Sequence, residues 1–186
     1  YNTEVPPLYT LAYYNAIANG GRYVRPHLVR ALRDENGRDS ILKISYIRDP
    51  LCSEATARKV KECLYDVVWD KRGTARALQD DRVKICGKTG TAIPYDFEHT
   101  HAYDHSKRRF AFAGFYPYEE PRYSCMVLMT APAGSTSAAR GSGRVLLNVA
   151  LKLYARGMLS DPAPYSHEAS PGPARLCAST IAPISS

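Results

Sequence analysis

Residues 84–92, Lys-Ile-Cys-Gly-Lys-Thr-Gly-Thr-Ala, gather two ammonium groups, two hydroxyls and two glycines in one short stretch. Two chemistries use such a set. Gly87-Lys88-Thr89 matches the end of a phosphate-binding loop, in which backbone N–H groups at a helix start cradle phosphates. That loop needs a further glycine five positions before Gly87, and position 82 is Arg. It must also open a helix, whereas Gly90, two β-branched threonines and Pro94 follow, all poor helix formers. The phosphate reading fails on both counts. The other reading makes the stretch a β-strand lining a cleft. Lys88 then supplies fixed positive charge for a substrate carboxylate and for proton traffic around a nucleophile. The Thr89 and Thr91 hydroxyls hold the carboxylate, Gly90 lets another backbone approach, and a backbone N–H just after it serves an oxyanion hole.

Other chemistry-bearing residues are weaker candidates. Ser40-Ile-Leu-Lys43 has the spacing of a serine nucleophile and its lysine, but it follows a turn inside an alternating strand pattern rather than opening a helix. His99, His101 and His105, with Asp96, Glu98 and Asp104, offer a zinc-like spacing, though a polar loop with solvated histidines is the simpler reading. Ser135, Thr136 and Ser137 lie in a flexible-turn composition with no nucleophile-elbow motif. Trp69 is read as a packing residue, and Arg140 and Arg144 as solvated charges. Five cysteines, Cys52, Cys63, Cys86, Cys125 and Cys177, contain no C-x-x-C pair, and Cys63, Cys86 and Cys125 are expected to be small buried hydrophobes.

The elements that must position Lys88 follow from periodicity. The 186 residues, 45% hydrophobic and 23% charged, suffice for one domain with a core. The net charge of +7 is dispersed, and no nucleic-acid motif or membrane-length apolar run accompanies it. A helix is predicted over 5–21, started by Pro7 and stopped by Gly20-Gly21. Residues 34–38 form a hairpin turn, with 41–47 as the returning strand. Ser53 caps a helix over 53–70, with Val60, Cys63, Leu64, Val67 and Val68 on the buried stripe. Strands follow at 83–92, 109–117 and 122–132, the last a central strand by its unbroken apolar run. A closing helix spans 144–158, burying Leu146, Val149, Ala150, Leu153 and Tyr154, with Gly157 as its stop. The fold class is α/β (α+β), helices packed on an antiparallel sheet. Beyond 159 the composition turns rich in Pro, Ser and Ala, so residues 1–159 are assigned to the domain and 160–186 to a mobile tail.

Lys-Thr-Gly is the third of three motifs in serine β-lactamases and penicillin-binding proteins. Five segments in order, "TEVPPLYTLAYYNAIANGGRYVRPHLV", "SEATARKVKECLYDVV" with "GTARAL", "VKICGKTGTA", "FAFAGFYPYEEPRYSCMVLM" and "ALKLYA", resemble the C-terminal part of the transpeptidase domain of class B penicillin-binding proteins. The first segment is most similar to division-type members, which pair with a septal glycan polymerase. Pro6 stands where the family often has a capping Thr, and Ser142-Gly143-Arg144 replaces the usual start of the last helix. No S-x-N motif occurs, and the family's nucleophile motif is expected upstream of Tyr1. The resemblance implies a serine D,D-transpeptidase that cross-links peptidoglycan stem peptides ending in D-Ala-D-Ala and is a target of β-lactams. Its implied roles are charge placement for Lys88, carboxylate binding for Thr89 and Thr91, substrate clearance for Gly90, and an oxyanion donor in the Thr91 N–H. No metal or organic cofactor is implied. The implied setting is the periplasmic side of the inner membrane, through an N-terminal anchor outside these residues, among division proteins. A β-lactamase, a β-lactam sensor and a catalytically silent interaction module are the competing readings.

Overall fold

The computed structural model describes residues 5–159 and 175–176. Helix α1 (Pro7–Ala18) begins where the missing N–H of Pro7 costs nothing, and Pro6 gives it no side-chain cap. It ends at Gly20 and Gly21, both at positive φ. Four short strands follow: β1 (Tyr23–Val24), β2 (Ala31–Arg33), β3 (Asp39–Ile41) and β4 (Tyr46–Arg48). The β2–β3 hairpin turns through Gly37 at φ +77, with the Asp34 carboxylate accepting from the N–H groups of Asn36 and Arg38. The single strand expected over 41–47 is two. Leu42 N–H still donates to Arg30 O, but by Ser45 the partner is Arg25, and β4 pairs with β1. The chain changes partner, so no one ladder runs through it.

Ser53 caps α2 (Glu54–Trp69), its hydroxyl accepting from Thr56 N–H at 3.2 Å. Ala57 and Val68 are buried, and Val60, Leu64 and Val67 are half-buried along the same side. Cys63 is exposed, contrary to expectation. It lies about 100° round the helix from Leu64, beyond the edge of the stripe. Cys86 and Cys125 are buried as expected. Trp69 packs as expected, stacking on Tyr65 and donating its indole N–H to Ile85 O at 3.2 Å.

The remaining elements are β5 (Cys86–Ala92), β6 (Tyr95–Asp96), β7 (Ala102–Tyr103), β8 (Lys107–Tyr116), β9 (Tyr123–Pro132), α3 (Arg144–Ala155) and β10 (Arg175–Leu176). The main sheet has the order β10-β9-β8-β5, antiparallel except for the short β10–β9 pair. The strand flanked along its length is β8, not β9. Beyond Tyr123 and Ser124, β9 has a described partner on one side only, and Leu128 and Thr130 are exposed. One face of the sheet packs Phe112 and Tyr116 against Leu78, Val83, Val68 and the α3 residues Leu146, Leu147 and Ala150. The other packs Cys86 and Phe115 against Ile17 of α1, with Val60 and Leu64 of α2 beside them. Complete burial of Phe112 or Phe115 contributes about 1.5–3 kcal/mol each. The expected mixed architecture is therefore the observed one.

Just after the flexible-turn composition at Ser135–Ser137, residues 139–143 form a π-helical turn that runs straight into α3, with Ser142 and Gly143 buried. Tyr154 is exposed, contrary to expectation, and Leu147 takes its place in the core. Of the tail at 160–186, only the backbone of β10 falls within the described residues.

Two glycines are demanded by the sheet itself. Gly87 pairs with Gly114, and a Cβ on Gly114 would meet Cys86 O and come within 3.0 Å of Gly87 Cα. Gly90 differs: its added Cβ would only touch Ala111 Cβ at 3.5 Å. Gly114→Ala should therefore destabilise by about 1–3 kcal/mol in urea denaturation, while Gly90→Ala should stay within about 0.5 kcal/mol. Equal effects would refute the distinction.

The hairpin β6–β7 leads out of β5 and back into β8. Its base is held by Asp104, whose carboxyl is lowered to about 2 from 3.8 by the Ser106 hydroxyl, the Lys107 ammonium and the Ser106 N–H. Because the folded value is depressed, this stabilisation is complete above about pH 4 and is lost as pH falls through about 2. The Ser106 amide resonance should titrate near pH 2, and Ser106→Ala should move that midpoint up toward 3.8.

Candidate active site

Lys88, Thr89, Gly90 and Thr91 all lie on β5, the terminal strand of the sheet. The strand pairs with β8 in unbroken register, Lys88 opposite Ala113, Thr89 opposite Phe112, Gly90 opposite Ala111 and Thr91 opposite Phe110. Directly opposed residues share a face, and successive residues alternate. Lys88 and Gly90 therefore lie on the α1 side, and Thr89 and Thr91 on the side of Phe112 and α3.

The Lys88 ammonium nevertheless reaches Thr89. Its Nζ donates to Thr89 O at 2.9 Å and to Thr89 Oγ1 at 3.2 Å. A single nitrogen meets both atoms by wrapping round the open edge of β5. The Thr89 carbonyl is thus turned outward, away from β8. In an antiparallel ladder the N–H and C=O of one residue point the same way and alternate residue by residue. The Thr91 N–H consequently faces the same open edge. Lys88 and Thr91 are exposed, and Thr89 and Gly90 half-exposed, so charge, hydroxyls and an outward N–H stand together where a ligand can reach them.

Sequence reading missed Thr74. Its Oγ1 lies 3.2 Å from Thr89 Oγ1. It belongs to the loop that closes α2, between Gly73 and the buried Ala75. The signal available was the "GTARAL" segment, quoted for its likeness but given no role, because sequence separation hides a cross-element hydroxyl contact.

The other candidates stay apart from this cluster. Ser40 sits in β3, opposite Leu32, on a separate two-stranded sheet, and Lys43 follows in irregular chain rather than on a helix. The histidine loop uses Asp96 to accept from the N–H groups of Glu98, His99 and Thr100, and His101 is fixed by its carbonyl accepting from the Tyr95 hydroxyl at 2.6 Å. Among the described residues no group of three or more His, Cys, Asp or Glu could hold a metal ion. Burial pushes the Cys86 thiol well above its ordinary range, which leaves it protonated and unreactive at neutral pH. Ser135 caps its own turn through Pro132 O.

The arrangement suits recognition of a carboxylate on a strand edge, with an N–H placed for a developing oxyanion. Comparison with known proteins bears on the family and the fold. The chain shares 32% identity over 90 residues with penicillin-binding protein 1A/1B of Bacillus subtilis, 48% of this chain and 9% of that protein. Among solved structures, penicillin-binding protein 3 of Mycobacterium tuberculosis, complexed with aztreonam, superposes with a TM-score of 0.71 at 23% identity, over 89% of this chain and 38% of that one. The D,D-transpeptidase domain of a peptidoglycan glycosyltransferase from Eggerthella lenta gives 0.58 at 25% identity, over 82% and 33%. The chain thus spans less than two fifths of the length of each of these three relatives. Among the described residues no helix is long and apolar enough to cross a membrane. Residues 1–150 match the profile of the penicillin binding protein transpeptidase domain, and the chain belongs to that family.

Proposed function

We propose that this chain forms one wall of the active site of a serine D,D-transpeptidase that cross-links peptidoglycan, and that it is the C-terminal part of a class B, division-type transpeptidase domain. The observation that carries the reading is the open edge of β5, where the Lys88 ammonium, the Thr89 hydroxyl and the outward Thr91 N–H converge around a glycine that packing does not require. The division-type assignment rests on the likeness of residues 1–21. The Lys-Thr-Gly strand and the family membership fit a substrate ending in D-Ala-D-Ala and its β-lactam mimics.

In this reading a serine from outside residues 1–186 attacks the carbonyl of the penultimate D-Ala. Its oxygen–carbon bond forms, the peptide bond to the terminal D-Ala breaks, and the serine proton ends on the leaving amine. An amine of a neighbouring stem peptide then attacks the ester, and the serine recovers a proton. Lys88 holds positive charge beside the nucleophile network and the terminal carboxylate. Thr89 and Thr91 donate hydroxyl protons to that carboxylate. The Thr91 N–H supports the oxyanion, with the serine's own N–H as second donor. Gly90 leaves room for the substrate backbone beside the strand. No cofactor is invoked. The parent protein is placed at the inner membrane, held by an anchor outside this chain, with its transpeptidase domain on the periplasmic side. Its partners are a septal glycan polymerase and other division proteins.

The test uses a fluorescent penicillin and denaturing gels. The intact parent protein should be labelled covalently. Lys88→Ala in it should slow labelling by about 100-fold or more, the scale of removing a key electrostatic group. Residues 1–186 alone should take no label. Label on the isolated chain would revive Ser40 as nucleophile, and an unlabelled intact protein would leave a silent interaction module.

A further inference from the structure

We infer that Thr74 is a positioning residue for Thr89, one that frees the Thr89 hydroxyl proton for a ligand carboxylate; the inference rests on the function proposed above. The argument is a count of protons. An ammonium only donates, so Thr89 Oγ1 accepts from Lys88 Nζ at 3.2 Å. Thr89 has one hydroxyl proton, and its neighbour for that proton in the free protein is Thr74 Oγ1, also at 3.2 Å. A carboxylate carries no proton and must take this one. The Thr74 hydroxyl then turns its own proton back onto Thr89 Oγ1. Thr89 thereby keeps two donors toward it while donating to the ligand, and the Lys88–Thr89 contact is not disturbed. Valine at position 74 would match the shape without the proton.

The placement of Thr74 is firm on both sides. The Gly73 N–H donates to Asp70 O at 2.9 Å, and a Cβ at Gly73 would lie 2.5 Å from Val67 O. The Ala75 N–H donates to Val67 O at 2.9 Å, and Ala75 is fully buried. Thr74 itself is exposed, so substituting it leaves the core untouched. The C-terminal end of α2 thus carries the hydroxyl to the strand edge on a braced loop.

The experiment measures acylation of the intact parent protein by a penicillin and by its methyl ester, which lacks the carboxylate charge. Thr74→Val should lower the second-order acylation rate about five- to tenfold for the acid, the range one hydrogen bond supplies, and less than about twofold for the ester. Thr74→Ser should stay within about twofold of the unsubstituted protein for both. An unchanged rate in Thr74→Val, or equal losses for acid and ester, would overturn the inference. Threonine-methyl NMR of the same proteins reads the hydroxyl pair without turnover. The Thr89 methyl resonance should move in Thr74→Val and not in Thr74→Ser. If it moves while the unsubstituted protein takes no penicillin, the functional reading falls and the pairing stands. If it does not move, the positioning role falls whatever the activity.

Discussion

Seven consecutive cross-strand pairs, from Cys86–Phe115 to Ala92–Arg109, hold β5 against β8 without a bulge. Everything at the site depends on that register. A slip of one residue would carry Lys88 to the face of Phe112 and bring Thr89 to the α1 side. The register is in turn held by what lies under it. Cys86 and Phe115 pack on Ile17, while Phe112 and Tyr116 fill the opposite core with Leu146 and Leu147. The chemistry at the strand edge is an outcome of two cores gripping the sheet from both sides.

The same grip explains how residues of opposite orientation act together. Alternation sends Lys88 and Thr89 to different faces, and within a sheet they would not meet. At a terminal strand they meet round the edge. α2 lies along that edge, with Val60 and Leu64 in the Phe115 cluster and Val68 in the Phe112 cluster, and is tied to the strand twice, through Trp69 to Ile85 and through Thr74 to Thr89. The first tie is apolar packing with one indole hydrogen bond. The second is purely polar and sits in the open.

Much of this was legible in the residues. The Ser53 cap, the turn at Gly37 and the strand carrying Lys88 are local signals, each decided by a few neighbours, and each is observed. The errors are of another kind. The break at 42–45 depends on which strands are near, and alternation alone cannot show a change of partner. Cys63 sits at the edge of an apolar stripe whose width is set by the packing partner rather than by periodicity. Position on the sheet misled for β9, because an apolar run reports burial somewhere along the strand and not on both edges. Thr74 was invisible for the same reason: its meaning comes from a strand that begins a dozen residues later. The carboxylate-binding roles of Lys88, Thr89, Gly90 and Thr91 came from chemistry and likeness together, and their placement on one free edge came only with the fold.

The Gly87–Gly114 pair has a consequence for how such a site can vary over generations. A Cβ at Gly114 would strike Cys86 O and crowd Gly87 Cα, and one at Gly87 would strike Ala113 O at 2.4 Å and the Phe112 ring at 2.7 Å. Drift at these two sites is therefore blocked one step at a time, and no single replacement opens a path. Positions such as Gly90 and Ala111, which have ordinary van der Waals space between them, are open to change. Under selection for altered recognition, accepted replacements should gather at the outer half of β5 and its neighbours, leaving the inner half as a frozen record of the ancestral strand.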